Sequence, residues 1–442
     1  MESMNAGKRL SDLMRTWSPS VSRRAVFLFL AGTWLYAVGA TWWLTAQTSP
    51  LVPKFDDWKV MLPALGEPGQ ITPAWLWSRL HEHRVPLPRL VYLASYNCSG
   101  GDFRSAAFVS VLLLGFVALA AMLLARRLRG KSGLEDGFFP LILLHWGQTH
   151  VFLIGICVNF TLTIACYYMA IVVVLRPREC WGIGQSVVLT LCLLGMILSS
   201  LIGVVLAVPV VAWLGALGLV RLSKSNRREG WACIVLTVIL AAVLGLYFVQ
   251  FTLPGLPPGA HRIEGLALRE RASHLTILVA MSLGWLGREQ RGLACVGVAG
   301  LYLVAMGMLL ARWHAHPEDR RRSTALLSLL DGVPLVLAAV TYGRSFITGE
   351  ELWFTTRYAM LSIPLLVGVY LASLFSFGSR LGWLTRALLF LTALTVFTGH
   401  VTGLAKYPHD LQVMRTVRQQ ENVLVRELLS GRALKEIGRA HV

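Results

Sequence analysis

The sequence predicts an all-α protein that crosses a membrane many times, a polytopic helical bundle of about ten or eleven helices with a long first outer loop. Three observations predict it. Of its 442 residues, 55% are hydrophobic and only 14% charged, whereas a soluble domain carries about a quarter charged residues. Apolar runs recur from one end to the other, each near the ~20 residues that span a bilayer. The Lys and Arg residues fall in short clusters between these runs, as topology signals and headgroup contacts do. The net charge of +18 therefore does not point to nucleic acid, since no continuous basic face emerges. Lipid cannot satisfy backbone N–H and C=O groups, so each run must be a helix.

The elements run in order along the chain. Residues 1–24 are polar and basic, and Lys8, Arg9, Arg15, Arg23 and Arg24 hold the chain start in the cytoplasm. The run 25–46 is long enough to span, without the short apolar core and small-residue cleavage site of a signal peptide, so it is read as a retained anchor. A polar excursion over 47–104 lies outside, and so long a connection implies a use. Segment 105–125 returns to Arg126, Arg127, Arg129 and Lys131. Segments 138–154 and 156–175 form the next pair, closed by Arg176 and Arg178. The run 186–220 is too long for one span and contains Pro209, which suits a helical hairpin ending at Arg221, Lys224, Arg227 and Arg228. Segment 231–251 leads out again.

Two arrangements are open for 274–287, which is short for a span. As an interfacial or re-entrant helix it leaves 342–358 outside; as a span it puts 342–358 inside and the basic tail in the cytoplasm. Spans at 359–377 and 383–400 complete a bundle over 25–400, before a polar tail, 401–442. Cys157, Cys166, Cys180, Cys192, Cys233 and Cys295 lie in or beside apolar runs and Cys98 stands alone in the first loop. Without CxxC or Cys/His zinc spacing they read as small buried residues.

The chemistry concentrates in the first loop, at FDDW (55–58) and WLWSRLHEHRVPLPRL (75–90). Adjacent acids repel, so one of Asp56 and Asp57 suits a general base; alternatively the pair binds a divalent cation, Mg or Mn. The bland alternative is a solvated turn with Trp58 at the interface. If 75–84 is helical, Trp77 and Leu80 share a face with Arg84, with Glu82 and His83 turned elsewhere. The result is an amphipathic helix on the bilayer, ended by Pro86 and Pro88, which stiffen and extend the next stretch of chain. Arg84 and Arg89 offer forked donors suited to phosphate, and Glu82 is placed to orient His83 or Arg84. His81-x-His83 is a weak metal signal, lacking a third ligand. Its plain alternative is a headgroup-contacting helix. Within apolar runs, His145, Gln148, His150, Asn159 and Asp331 are the polar exceptions; interhelical hydrogen bonding accounts for the histidines, while Asp331 suggests a polar pair or a proton-coupled step.

A first helix, FDDW in the first outer loop and a Trp-rich approach to EHRVPLPRL together resemble bacterial polytopic envelope proteins associated with cell-surface glycopolymer formation. These resemble the GT-C superfamily of lipid-linked-sugar glycosyltransferases. SGGDFR (99–104) and YGR…TTRY (342–358) fit the same pattern, which covers most of the chain to about Phe377. The resemblance implies a multi-pass protein of the bacterial inner membrane, a polyprenyl-phosphate sugar donor and an envelope glycan, glycolipid or protein as acceptor. It implies Asp56 or Asp57 as base, assisted by Glu82, with His83, Arg84, Arg89 and Arg357 on the donor phosphate. The large soluble C-terminal domain of several such enzymes is missing. Two other readings stand beside it: a flippase for a lipid-linked saccharide, using Asp331 and His145, and a non-catalytic scaffold docking through the outer loop. No internal repeat supports transport, and no GxxxxGK[ST] motif supports ATP-driven transport.

Overall fold

The computed structural model describes residues 22–66, 70–176, 181–224, 226–251, 268–344, 347–375 and 380–406. Among them, nine helices are long and apolar enough to cross a membrane. The chain is a multi-pass helical membrane protein. Helix α1 (Arg23–Thr48) opens it, and the first loop carries α2 (Asp57–Leu65), α3 (Pro73–Trp77), strands β1 (Arg79–Leu80) and β2 (His83–Arg84), and α4 (Pro86–Cys98). Helix α5 (Ser105–Arg129) returns, and α6 (Phe138–Leu143) and α7 (Thr149–Leu153) cross back as one broken segment. Then come α8 (Val158–Val174), the hairpin of α9 (Ile183–Ile197) and α10 (Leu201–Ser223), and α11 (Arg227–Phe248). After α12 (Leu268–Ala280) and α13 (Gly284–Glu289), α14 (Arg291–Ala315) and α15 (Arg320–Gly343) cross, succeeded by α16 (Gly349–Phe354), α17 (Ala359–Phe375) and α18 (Arg380–Lys406). The shorter apolar α9, of 15 residues, and the broken segment lie among them.

Burial sorts the helices. The segments holding α8 and α17 are 78% and 94% buried, whereas those of α1 and α11 are 17% buried. A helix apolar all round belongs inside a bundle, and VNFTLTIACYYMAIVVV and AMLSIPLLVGVYLASLF are that kind of sequence. Gly368 lets α17 meet α15 closely, because a Cβ there would run into Leu330.

The two ends of the bundle differ. At one, Arg129 pairs with Glu135 and Asp136, both at 2.5 Å, and Asp136 accepts from Tyr370 Oη at 2.7 Å. Arg386 donates to the Ser373 carbonyl at 3.1 Å, and Arg221 and Arg312 pair with Glu229 and Asp319. This arginine-rich end is the side the charge rule assigns to the cytoplasm. At the other end the first loop lies over the α9–α10 turn, where Leu87 N–H donates to the Leu198 carbonyl at 3.3 Å. Arg344 reaches Glu82 there, at 2.7 Å.

That last contact decides the arrangement left open by the sequence. Residues around Arg344 share the first loop's face, and α12, with 13 residues, spans only about 20 Å at 1.5 Å per residue, short of the ~30 Å hydrocarbon layer.

Three local expectations are corrected. The amphipathic helix over 75–84 is instead the short α3 and a β1–β2 hairpin pairing Arg79 with Arg84 and Leu80 with His83. His81 turns the hairpin at φ +54. Pro86 and Pro88 begin a helix where an extended chain was expected, since proline in a first turn forfeits no helical hydrogen bond. The run 138–154 is broken, with His145 Nδ1 accepting from Gly147 N–H at 3.1 Å. His145 stacks on His400 at 5.5 Å, so the expected interhelical contact there is a ring stack. The tail beyond Lys406, and Cys180 and Arg178, lie outside the described residues.

Cys98 is exposed on the loop face, as is Thr348, while Arg227 is exposed at the other end. A membrane-impermeant maleimide is expected to label Cys98 and a Thr348→Cys variant from one side, and Arg227→Cys only from the opposite side. Labelling of Thr348→Cys together with Arg227→Cys would refute this topology.

Candidate active site

The polar side chains of the first loop divide into those that build it and those that face its opening. Asp57, the first residue of α2, is buried at 2% exposure. Its carboxylate accepts from Ile156 N–H at 2.6 Å, Lys54 N–H at 3.3 Å and Gly155 N–H at 3.4 Å. It therefore caps the N-terminal N–H groups of the turn leading into α8. Burial, aided by the Asp56 charge, pushes its carboxyl up to about 7, against the pull of those N–H groups.

Arg84 is equally committed. Nε donates to the Tyr247 carbonyl at 2.9 Å, Nη1 to Trp77 at 2.8 Å and Nη2 to Val249 at 2.6 Å. Tyr247 Oη accepts from its backbone N–H at 3.0 Å. One cation thus closes the C-terminus of α11 and ties the hairpin to it, leaving none of its three nitrogens uncommitted. Arg89 Nη1 donates to the Trp75 carbonyl, to Leu76 at 3.0 Å and to Ser78 at 2.8 Å, with the guanidinium 4.8 Å above the Trp75 ring. His83 is partly buried, and its Nδ1 accepts from Leu201 N–H at 3.2 Å, capping α10. Its proton therefore resides on Nε2, 3.5 Å from Glu82. Burial pulls His83 down to about 4, against Glu82, so the ring is neutral and poorly suited to holding a phosphate.

Asp56 faces the opening. Its Oδ1 lies 2.8 Å from His81 Nε2 and 3.6 Å from Lys59 Nζ, and all three side chains are over a third exposed. Lys59 Nζ also lies 3.2 Å from His81 Nε2. A lysine only donates and an ionised carboxylate only accepts, so Nε2 serves one of them at a time. Partial burial pushes the Asp56 carboxyl up, but the His81 hydrogen bond and the charges of His81, Lys59 and Arg357 outweigh it and hold it below the usual range. It is ionised at neutral pH.

Beside this trio opens a groove of about 430 Å³, its walls including Lys59, Leu62, Trp75, Arg79, His81 and Arg89. From the bundle, Arg357 stands near enough to act electrostatically on Asp56 and His83, with its guanidinium 5.4 Å from the Tyr358 ring centre. No described carboxylate lies within ion-pairing distance of it. Glu82 sits behind, paired with Arg344, whose Nε donates to Tyr358 Oη at 2.7 Å. Burial pushes Glu82 up, but His83 and Arg344 hold it low.

Of the residues expected from sequence, Arg89 lines the groove, Asp56 is held at its side by His81, and Arg357 lies within electrostatic reach of Asp56. Asp57, Arg84 and His83 are absorbed into the scaffold, and Glu82 positions Arg344. His81 and Lys59 join the site as charge partners of Asp56. Lys59 stands three residues after Asp56, on the helix that begins just after it. Asp331 is exposed on the outside of α15, accepting from Tyr302 Oη at 3.4 Å. A divalent cation does not fit the acidic pair: Asp57 turns inward to backbone donors, while Asp56 faces an ammonium and an imidazole. No described group of three metal-ligating side chains converges. No family model, curated protein or solved structure matches the chain.

Two outcomes are expected. Unfolded, Asp57 ionises near 3.8; between that pH and about 7 the folded chain keeps a proton the unfolded chain releases. Asp57's own contribution to stability therefore falls as pH rises through this window, by at most roughly 4 kcal/mol, and is flat above it, while His83, lowered to about 4, contributes in the opposite direction up to its ordinary value of 6.5. Melting in detergent at pH 5 and pH 8 should show wild type losing stability across this range relative to Asp57→Asn, which keeps the His83 contribution but not that of Asp57. Arg84→Lys, which replaces three carbonyl contacts by one ammonium, should lower stability by about 3 kcal/mol in the same assay.

Proposed function

We propose that the protein is a GT-C-type glycosyltransferase. In this reading it moves one sugar from a polyprenyl-phosphate carrier to an envelope glycan, glycolipid or protein, on the outer face of a bacterial inner membrane. The observation that carries it is an ionised, accessible Asp56 held by His81 beside a groove with cationic and apolar walls. The groove supports a ligand of mixed character: Leu62 and Trp75 suit an isoprenoid, and Lys59 and Arg79 suit its phosphate.

Asp56 takes the proton from the acceptor hydroxyl as that oxygen attacks the anomeric carbon. The bond from that carbon to the phosphate oxygen breaks, and the polyprenyl phosphate leaves with one more negative charge. Lys59 and Arg357 meet that charge as it develops, and Arg89 stiffens the groove beneath. Glu82 acts at one remove, by fixing Arg344 against Tyr358.

The test is release of free polyprenyl phosphate by the protein in nanodiscs, given a panel of polyprenyl-phosphate sugars and an envelope extract. Asp56→Asn is expected to cut release at least ~100-fold, the scale of a lost general base, with melting unchanged. Arg357→Ala should cut it ~10-fold or more. No release from any donor, with acceptor demonstrably present, would overturn the reading.

A further inference from the structure

The arginine-rich end holds a second cavity, about 510 Å³, that the proposed chemistry does not use. It opens where four helices end: the last turn of α5, the C-terminus of α8, the first turn of α9 and the first turn of α15. Leu124, Leu128 and Val172 form its apolar wall, and Arg127, Arg176 and Arg322 its charged rim. Among the described residues no carboxylate pairs with Arg127 or Arg176, and both are exposed. Arg322 is fixed by donating from Nε to the Arg176 carbonyl and from Nη1 to Asp319, each at 3.1 Å. Asp319 is also shared with Arg312 Nη2, at 2.6 Å, so it does not neutralise the rim.

We propose that this cavity is a binding site for an anionic phospholipid. Arg127, Arg176 and Arg322, from the ends of three apolar segments, line this one cavity, and forked donors suit phosphate oxygens better than ammonium groups do. The apolar wall of Leu124, Leu128 and Val172 suits an acyl chain and offers nothing to a free anion. Basic pockets between helices on the cytoplasmic side are favourable places for anionic lipid headgroups. Gln185, at the start of α9, adds an amide to the lining. The site lies at the opposite end of the bundle from Asp56, and its occupancy does not depend on the transferase reading. A bound lipid bridges α5, α8 and α15, where Arg321 already joins α15 to α8 through the Val174 and Arg176 carbonyls at 3.1 and 2.7 Å.

The experiment is native mass spectrometry of the full chain in detergent, titrated with phosphatidylglycerol, phosphatidylcholine or inorganic phosphate. Three proteins are compared: wild type, an Arg127→Gln/Arg176→Gln variant, and Arg227→Gln/Arg228→Gln. The last removes the same charge from exposed positions at the same end but outside the cavity. Phosphatidylglycerol is expected to bind wild type and the outside variant alike, and the cavity variant at least tenfold more weakly, with melting unchanged. Equal weakening in both variants would reduce the effect to diffuse surface charge and overturn the proposal. So would equal binding of phosphatidylcholine, or displacement of the lipid by inorganic phosphate at millimolar concentration, which would identify a free-anion site.

Discussion

Helix ends without water are the constraint on which this structure depends. Each helix leaves carbonyls at its C-terminus and N–H groups at its N-terminus that lipid cannot satisfy. Here charged and polar side chains from other segments do so. Arg84 closes α11, Arg89 closes α3, Arg321 closes α8 and Arg386 reaches the end of α17. Asp57 and His83 do the reverse, accepting from N–H groups that open the way into α8 and α10. The arginine charges agree in sign with the C-terminal ends of the helix dipoles they meet. Because most of these side chains come from distant parts of the sequence, each cap is also a tertiary bond.

The site results from that stapling. The β1–β2 hairpin is too short to hold itself, yet Arg84 and His83 anchor its second strand to α11 and α10. His81, at the turn, is thereby delivered to Asp56. Asp57 fixes the start of α2 from below, so its neighbour Asp56 is directed outward. Two adjacent carboxylates thus acquire opposite roles: one is buried against backbone donors and the other remains ionised beside Lys59. Gly155 allows the contact, since a Cβ there would come within 2.6 Å of the Tyr92 ring.

The broken segment between α6 and α7 obeys the same rule. Irregular backbone at membrane depth is tolerated when protein surrounds it. Phe138 through Trp146 are all buried, and Thr41 Oγ1 donates to the Leu144 carbonyl at 3.0 Å where the regular helix stops. Hydropathy sees a continuous apolar run there, because it weighs residue character and not the direction of the backbone.

Much of the fold was legible in the sequence. Apolar length gave the membrane-spanning helices, because the bilayer imposes that length on any chain. The α9–α10 hairpin was legible for the same reason, since one span cannot use 35 residues. The candidate site was legible in part: FDDW and the HEHR region do come together, with Asp56 against His81. What only the tertiary structure decided was which of those charges remain available. Asp56 and Asp57 are chemically identical in sequence, and Arg84 looks as suited to phosphate as Arg357. Their roles are set by burial and by the distant carbonyls and N–H groups that fold onto them, and no local pattern encodes which helix ends will need them.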